Sequence, residues 1–186
     1  LRRLPKGSRV LDPMAGSGTV LRHAAALGHA AVGRDLDPLA VLMTRVWNTP
    51  FDVERLQRRL RAIKKRVDEL PGTVDIPWID GDDETRMFVD YWFAEEQQEA
   101  LRRIAFVLAD LGHNKRTRDA ELDILKIALS RIIVTKDQGA SLARDTSHSR
   151  PHRVALKSDY DVWSGFERSV FRVQDVLEQC PPKGGV

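Results

Sequence analysis

The chain has 186 residues, of which 42% are hydrophobic, and a formal net charge of +3; together these values describe a globular chain with one sizeable core. No apolar run approaches the roughly 20 residues that a helix needs to cross a bilayer, and no signal-peptide pattern is present, so we expect a cytoplasmic protein without membrane contact. The single Cys180 excludes an internal disulfide framework and a zinc site built from cysteines.

The first fifty residues predict a strand, a helix, a second strand and a second helix. SRVLDP, at 8–13, predicts a short buried strand, and the alanine-rich stretch 19–27 predicts a helix that ends at Gly28. AAVGRD, at 30–35, predicts a second strand, and Pro38 is well placed to begin a helix that ends before Pro50. The fold class indicated by this pattern is α/β.

After residue 50 the sequence is mainly helical in pattern. Apolar residues at spacings of three and four predict an amphipathic helix over 53–70, and similar patterns predict helices over 93–112 and 159–180. The stretch 119–134 is less polar, so we expect a more deeply buried helix there. The stretch 138–153 is rich in small and basic residues and predicts a polar loop.

The turn after the first predicted strand contains two glycines, Gly16 and Gly18. A glycine turn between a strand and a helix presents backbone N–H groups and the positive helix end to a ligand. Tight packing explains a lone Gly-x-Gly equally well, but Asp35 follows Gly16 by 19 positions, close to the offset at which a carboxylate binds ribose hydroxyls. No Gly-Lys-Ser/Thr follows, which excludes an ATPase phosphate loop, and Leu21 replaces the third glycine of a dinucleotide site.

Two motifs, DPMAGSGT at 12–19 and GRDLDP at 33–38, resemble those of S-adenosylmethionine-dependent amino-methyltransferases that modify DNA. The resemblance is strong over residues 8–46, and it implies a partial Rossmann-like methyltransferase fold with a large, mainly helical insertion. It implies an S-adenosylmethionine-binding part at 1–50, a helical insertion with a possible DNA-contacting region at 51–157, and a helix and linker at 158–186.

The same resemblance implies roles for individual residues. Asp12 would lie near the methionine amino group, Asp35 would bind the ribose hydroxyls and Leu36 would pack on the adenine. Met14 stands where the family usually has phenylalanine. The full set of implied cofactor residues is Asp12, Pro13, Met14, Ala15, Gly16, Ser17, Gly18, Thr19, Asp35 and Leu36.

Methylating the exocyclic amine of adenine or cytosine requires an unstacked base and a group that holds its amine. The family performs this with a Ser/Asn/Asp-Pro-Pro-aromatic loop, whereas the only Pro-Pro here, Pro181-Pro182, follows Cys180 and precedes Lys183. We therefore assign no catalytic residue and expect the chain to bind the cofactor without methylating alone. The first residue is Leu1, and we expect a piece of a longer polypeptide whose remainder carries the catalytic loop.

DNA is the expected partner, and the polar loop contains the candidate contacts. A weaker resemblance to the inserted region of DNA methylases covers 129–153. The candidate phosphate-binding residues are Arg144, His148, Arg150 and Arg153. His148 and His152 have a spacing seen in metal pairs on helices, but Pro151 interrupts it, so we expect no metal there.

Other basic and aromatic clusters have simpler explanations. The basic face of the 53–70 helix is expected to be solvated. The aromatics are expected to pack in the helical core, although those at 88–93 could also stack on a flipped base; they are Phe88, Tyr91, Trp92, Phe93, Trp163, Phe166 and Phe171.

Two alternatives stay open at this point. An RNA guanine amino-methyltransferase would carry similar glycine motifs, but such enzymes pass quickly from the second strand to the third, and here more than a hundred residues intervene. The other alternative is a non-catalytic module that binds nucleic acid or a partner protein and whose glycine turn has lost its ligand. Retention of both Asp12 and Asp35 argues against that loss.

Overall fold

A computed structural model describes residues 1–113, 119–135, 139–144, 152–153 and 155–181 of the chain. In this part of the chain the fold is mixed α/β, with mostly helices and a short two-stranded parallel sheet. None of the described helices combines the length and the apolar character needed to span a membrane. The division of the chain at residues 50 and 157 stays a prediction.

The N-terminal strands lie side by side. Strand β1 (Arg9–Asp12) pairs in parallel with β2 (Ala30–Gly33), and helix α1 (Thr19–Ala26) connects them. The side chains buried beneath the sheet are small apart from one leucine; they are Ala15, Leu21, Ala24 and Ala31. The predicted strand, helix and strand are therefore present in this order.

Two details of that prediction are wrong. Leu11 was expected in a buried strand but is 65% exposed, because α1 covers only one face of the two-stranded sheet and Leu11 points to the other face. The second strand ends at Gly33, so Asp35 lies in the loop that follows it.

The remaining elements are helices and one short antiparallel strand pair. The helices are α2 (Pro38–Asn48), α3 (Val53–Glu69), α4 (Pro77–Asp80), α5 (Asp83–Trp92), α6 (Glu95–His113), α7 (Ala120–Ser130) and α8 (Val162–Gln179). The strands β3 (Ala143–Arg144) and β4 (His152–Arg153) pair antiparallel. An aspartate side chain accepts a backbone N–H in the first turn of five of these helices, which explains where they begin; the aspartates are Asp37, Asp52, Asp82, Asp119 and Asp161.

The main hydrophobic core joins α2, α3, α6, α7 and α8. Phe166 on α8 and Leu125 on α7 are fully buried in it, and α7 buries more than half of its residues, as its low polarity predicts. The helix nevertheless ends at Ser130 rather than near Val134. The carbonyl groups of Ile132 and Ile133 accept backbone N–H groups from residues 140 and 141, so the chain turns there and does not continue as a helix.

Several expectations about exposure are wrong. Phe88 and Tyr91 are 59% and 51% exposed rather than packed in the core, because α5, a helix that we did not predict, buries none of its residues. Phe171 is 40% exposed for a similar reason, since it lies on the outer side of α8. The predicted polar loop also begins in the interior, where residues 140–143 are buried.

Candidate functional site at the glycine turn

The turn between β1 and α1 is connected to the end of β2 by backbone hydrogen bonds. The N–H of Arg34 donates to the carbonyl oxygen of Asp12 at 2.9 Å, and the N–H of Ala15 donates to the carbonyl oxygen of Arg34 at 2.9 Å. Gly16 and Gly18 have φ angles of +51° and +80°, a region in which residues with a Cβ are strained. These two positions therefore favour glycine on backbone grounds.

Asp35 joins the glycine turn to the start of α2. Its Oδ2 accepts the N–H of Gly16 at 2.7 Å, and its Oδ1 accepts the N–H of Asp37 at 3.0 Å. The hydrogen bonds from Asp37 and Gly16 lower the pKa of the Asp35 carboxyl below its ordinary value, so it is ionised at neutral pH. A carboxylate has about four lone-pair sites, and three backbone N–H groups, those of Gly16, Leu36 and Asp37, interact with this one, so capacity for about one further donor remains.

Helix α2 supports the turn from the other side through Thr44. The hydroxyl of Thr44 donates to the carbonyl oxygen of Gly16 at 3.1 Å. A Cβ placed on Gly18 would lie 2.7 Å from the Thr44 hydroxyl oxygen and 2.9 Å from its Cα, whereas a Cβ on Gly16 would meet nothing within 4 Å. Gly18 is thus packed against α2, and Gly16 faces open space.

The other predicted cofactor residues surround this turn and are largely exposed. Met14 is 85% exposed and Leu36 fully exposed, while the Oδ1 of Asp12 accepts the N–H of Met14 at 3.1 Å. The Ser17 and Thr19 hydroxyls lie 3.3 Å apart, and no side chain caps the N-terminus of α1. Eight of the ten predicted residues are thus at least partly exposed around the turn, whereas Ala15 and Gly18 are buried.

A cavity of about 300 Å³ lies beside this surface, between β2, α1 and α2. Among the predicted cofactor residues only Ala15 lines it; its other walls include Gly33, Val41 and Thr44. The predicted site is thus the open surface of the turn and not this cavity.

The predicted nucleic-acid contacts are only partly within the described residues. Arg144 belongs to β3, where its backbone is opposite His152, and no feature of its side chain is described. His148 and Arg150 lie outside the described residues. Arg153 stacks its guanidinium 5.0 Å from the centre of the Tyr91 ring and donates through Nε to the carbonyl oxygen of Ala155 at 3.2 Å.

The basic face of α3 is mostly occupied by ion pairs. Arg59 pairs with the buried Asp119, Arg66 pairs with Asp110 at 2.7 Å, and three other basic residues pair with acidic residues one turn away on α3. Four of these basic side chains are 41–75% exposed, so the face is solvated, as predicted, and most of its charges also have acidic partners.

Sequence reasoning did not identify Thr44 as part of the turn. Its hydroxyl bonds to a residue 28 positions away, and nothing about a threonine inside an apolar helix indicates such a contact. It also did not single out Arg131, Arg168 and Arg172, which line one cavity but are separated in the sequence.

Comparison with known proteins relates the chain to a methyltransferase over about half of its length. It is 29% identical to the Type II methyltransferase M.MvaI of Kocuria varians over 97 residues, which are 50% of this chain and 20% of the relative. The chain therefore spans about a fifth of that protein. No family model matches the sequence. No solved structure matches it either.

Proposed function

We propose that this chain is the S-adenosylmethionine-binding portion of a DNA methyltransferase that methylates an exocyclic amine of adenine or cytosine, with a partial Rossmann-like fold. The observation that carries the proposal is the hydrogen bond between the Asp35 carboxylate and the N–H of Gly16, formed where two neighbouring parallel strands end. Ligands of α/β sheets bind at the carboxyl ends of the strands. The similarity to a Type II methyltransferase supports the same reaction class.

The residues of the turn fit S-adenosylmethionine in both charge and shape. Asp35 retains acceptor capacity for a ribose hydroxyl, and the exposed Leu36 offers an apolar surface to the adenine. Gly16 leaves room for the methionine part, because nothing lies within 4 Å of its Cβ position. When bound, the cofactor supplies the methyl group; the residues of this chain hold it in place.

The described residues would contact the cofactor from one side only. Met14 and Leu36 are open to solvent, and the chain contains no Pro-Pro followed by an aromatic residue. We therefore propose that other segments of the polypeptide complete the pocket and supply the loop that holds the acceptor amine. This chain alone then binds the cofactor and transfers no methyl group.

Isothermal titration calorimetry with S-adenosylmethionine tests the proposal. We expect the wild-type chain to bind and Asp35→Ala to lose most of the binding heat. Asp37→Ala is the matched control, because Asp37 is two positions away and also accepts one backbone N–H, from Leu39 at 2.8 Å, but lies outside the proposed contacts. No heat with the wild-type chain, or equal affinities of the two variants, would refute the proposal.

A methyl-transfer assay tests the statement on catalysis. With radiolabelled cofactor and a mixture of DNA duplexes, we expect no transfer by this chain and transfer by the polypeptide that also contains the missing loop. Incorporation of the labelled methyl group into RNA in place of DNA would instead favour an RNA guanine amino-methyltransferase.

A further inference from the structure

A second cavity, of about 300 Å³, lies between the end of α7 and the N-terminal half of α8. Three arginines line it, Arg131, Arg168 and Arg172, together with the hydroxyl-bearing residues Thr135, Tyr160 and Ser169. It is remote in sequence from every residue that we assign to the cofactor.

The three arginines have no carboxylate partner within 4 Å among the described residues. This distinguishes them from the basic face of α3, where most charges are paired. Asp161, whose charge interacts with Arg168, already accepts hydrogen bonds from both the N–H and the hydroxyl of Ser164. The lining of the cavity therefore carries an excess of positive charge.

We propose that this cavity binds a phosphate group of a nucleic-acid backbone, an inference that deepens the proposed function and rests on it. Guanidinium groups match phosphate oxygens in geometry and charge. Arginine and serine or threonine side chains are common donors to the backbone of DNA.

Helix α8 connects the cavity to the helix that begins at the glycine turn. Helix α8 continues from Arg172 to Cys180, a distance of about 12 Å at the rise of an α-helix. The carbonyl oxygen of Cys180 accepts a hydrogen bond at 2.5 Å from Arg22 on α1, the helix that begins at the glycine turn.

Fluorescence anisotropy of a labelled DNA duplex, titrated with the chain at several salt concentrations, tests this inference. We expect Arg168→Ala and Arg172→Ala each to lower the affinity and to reduce the slope of log K against log salt by about one. Arg61→Ala is the control, because Arg61 is an exposed arginine of α3 without an ion pair among the described residues. It should leave both quantities unchanged. Unchanged affinity in both arginine variants, the same loss in Arg61→Ala, or no DNA binding by the wild type would overturn the inference.

Inorganic phosphate separates the two sources of the ligand. If phosphate binding, measured by calorimetry, depends on Arg168 but DNA binding does not, the site takes a free phosphate and the nucleic-acid assignment is wrong. Titration of Arg168→Ala with S-adenosylmethionine distinguishes this inference from the proposed function. If the variant binds S-adenosylmethionine normally but binds DNA more weakly than the wild type, the result supports the phosphate site. Loss of cofactor binding by Asp35→Ala bears only on the turn.

Discussion

Replacing Gly18 by alanine tests how closely the glycine turn is packed against helix α2. An alanine at φ +80° costs roughly 1–2 kcal/mol in backbone strain. Its Cβ would also lie 2.9 Å from the Cα of Thr44, a backbone atom that cannot move without shifting α2. Overpacking of this kind adds about 1–3 kcal/mol, so the free energy of unfolding should fall by about 2–5 kcal/mol.

Gly16→Ala is the matched comparison within the same turn. Its φ angle is also positive, at +51°, so the backbone strain is similar, but its Cβ would meet nothing within 4 Å. We expect a loss of about 1–2 kcal/mol in stability. The new methyl group would instead occupy the space proposed for the methionine part of the cofactor. The free energy of cofactor binding should therefore fall by more than the free energy of unfolding.

Urea unfolding followed by circular dichroism measures both variants. For a slope near 2 kcal/mol/M, the Gly18→Ala midpoint should fall by about 1–2.5 M and the Gly16→Ala midpoint by less than about 1 M. Equal midpoints for the two variants, or a lower midpoint for Gly16→Ala, would refute the packing of the turn against α2.

Two further predictions concern the helical region. Phe166 is fully buried, so Phe166→Ala should lower the free energy of unfolding in urea by about 3–5 kcal/mol. Phe171 is 40% exposed on the same helix, so Phe171→Ala should lower it by less than about 1 kcal/mol. The hydrogen bond from Arg102 lowers the pKa of Asp80 to about 2, so the stability that this carboxylate provides is complete above its unfolded pKa near 3.8 and is lost as the pH falls to 2. Asp80→Asn should therefore lower the free energy of unfolding by about 1–2 kcal/mol at neutral pH and by progressively less below about pH 4. Asp83→Asn is the control, because Asp83 is 82% exposed, and its free energy of unfolding should stay within about 0.5 kcal/mol of the wild type at every pH. A difference between Asp80→Asn and the wild type that stays constant across this pH range would contradict the assigned pKa.

The helices were predictable where local signals agree. The apolar residues of 53–70 recur at helical spacing, and Leu56, Leu60 and Ile63 are indeed buried on one face. Aspartates that accept the first free N–H groups mark the start of α3 and α8, and such capping is a property of a few neighbouring residues. The strand, helix and strand at the N-terminus follow from equally local patterns.

Exposure could not be predicted in the same way, because it depends on which distant element covers a side chain. Leu11 and Val32 have the composition of buried strand residues, yet both are exposed on the face of the sheet opposite α1. The aromatic residues of α5 are unburied for the same reason. The spacing of Gly16 and Asp35 predicted that both face one cleft, but neither their hydrogen bond nor the contact of Thr44 with the same glycine had a signal in the sequence.

Helix α2 contacts the turn on one side and α7 on the other. Thr44 bonds to Gly16, while Val46 is part of the main hydrophobic core and Arg45 lies 3.8 Å from Asp123 of α7. An eleven-residue helix fixed on both sides cannot rotate to accommodate a larger residue on one side without losing contacts on the other. A substitution that changes how α7 packs against α2 should therefore also shift Thr44 and alter the geometry of the glycine turn.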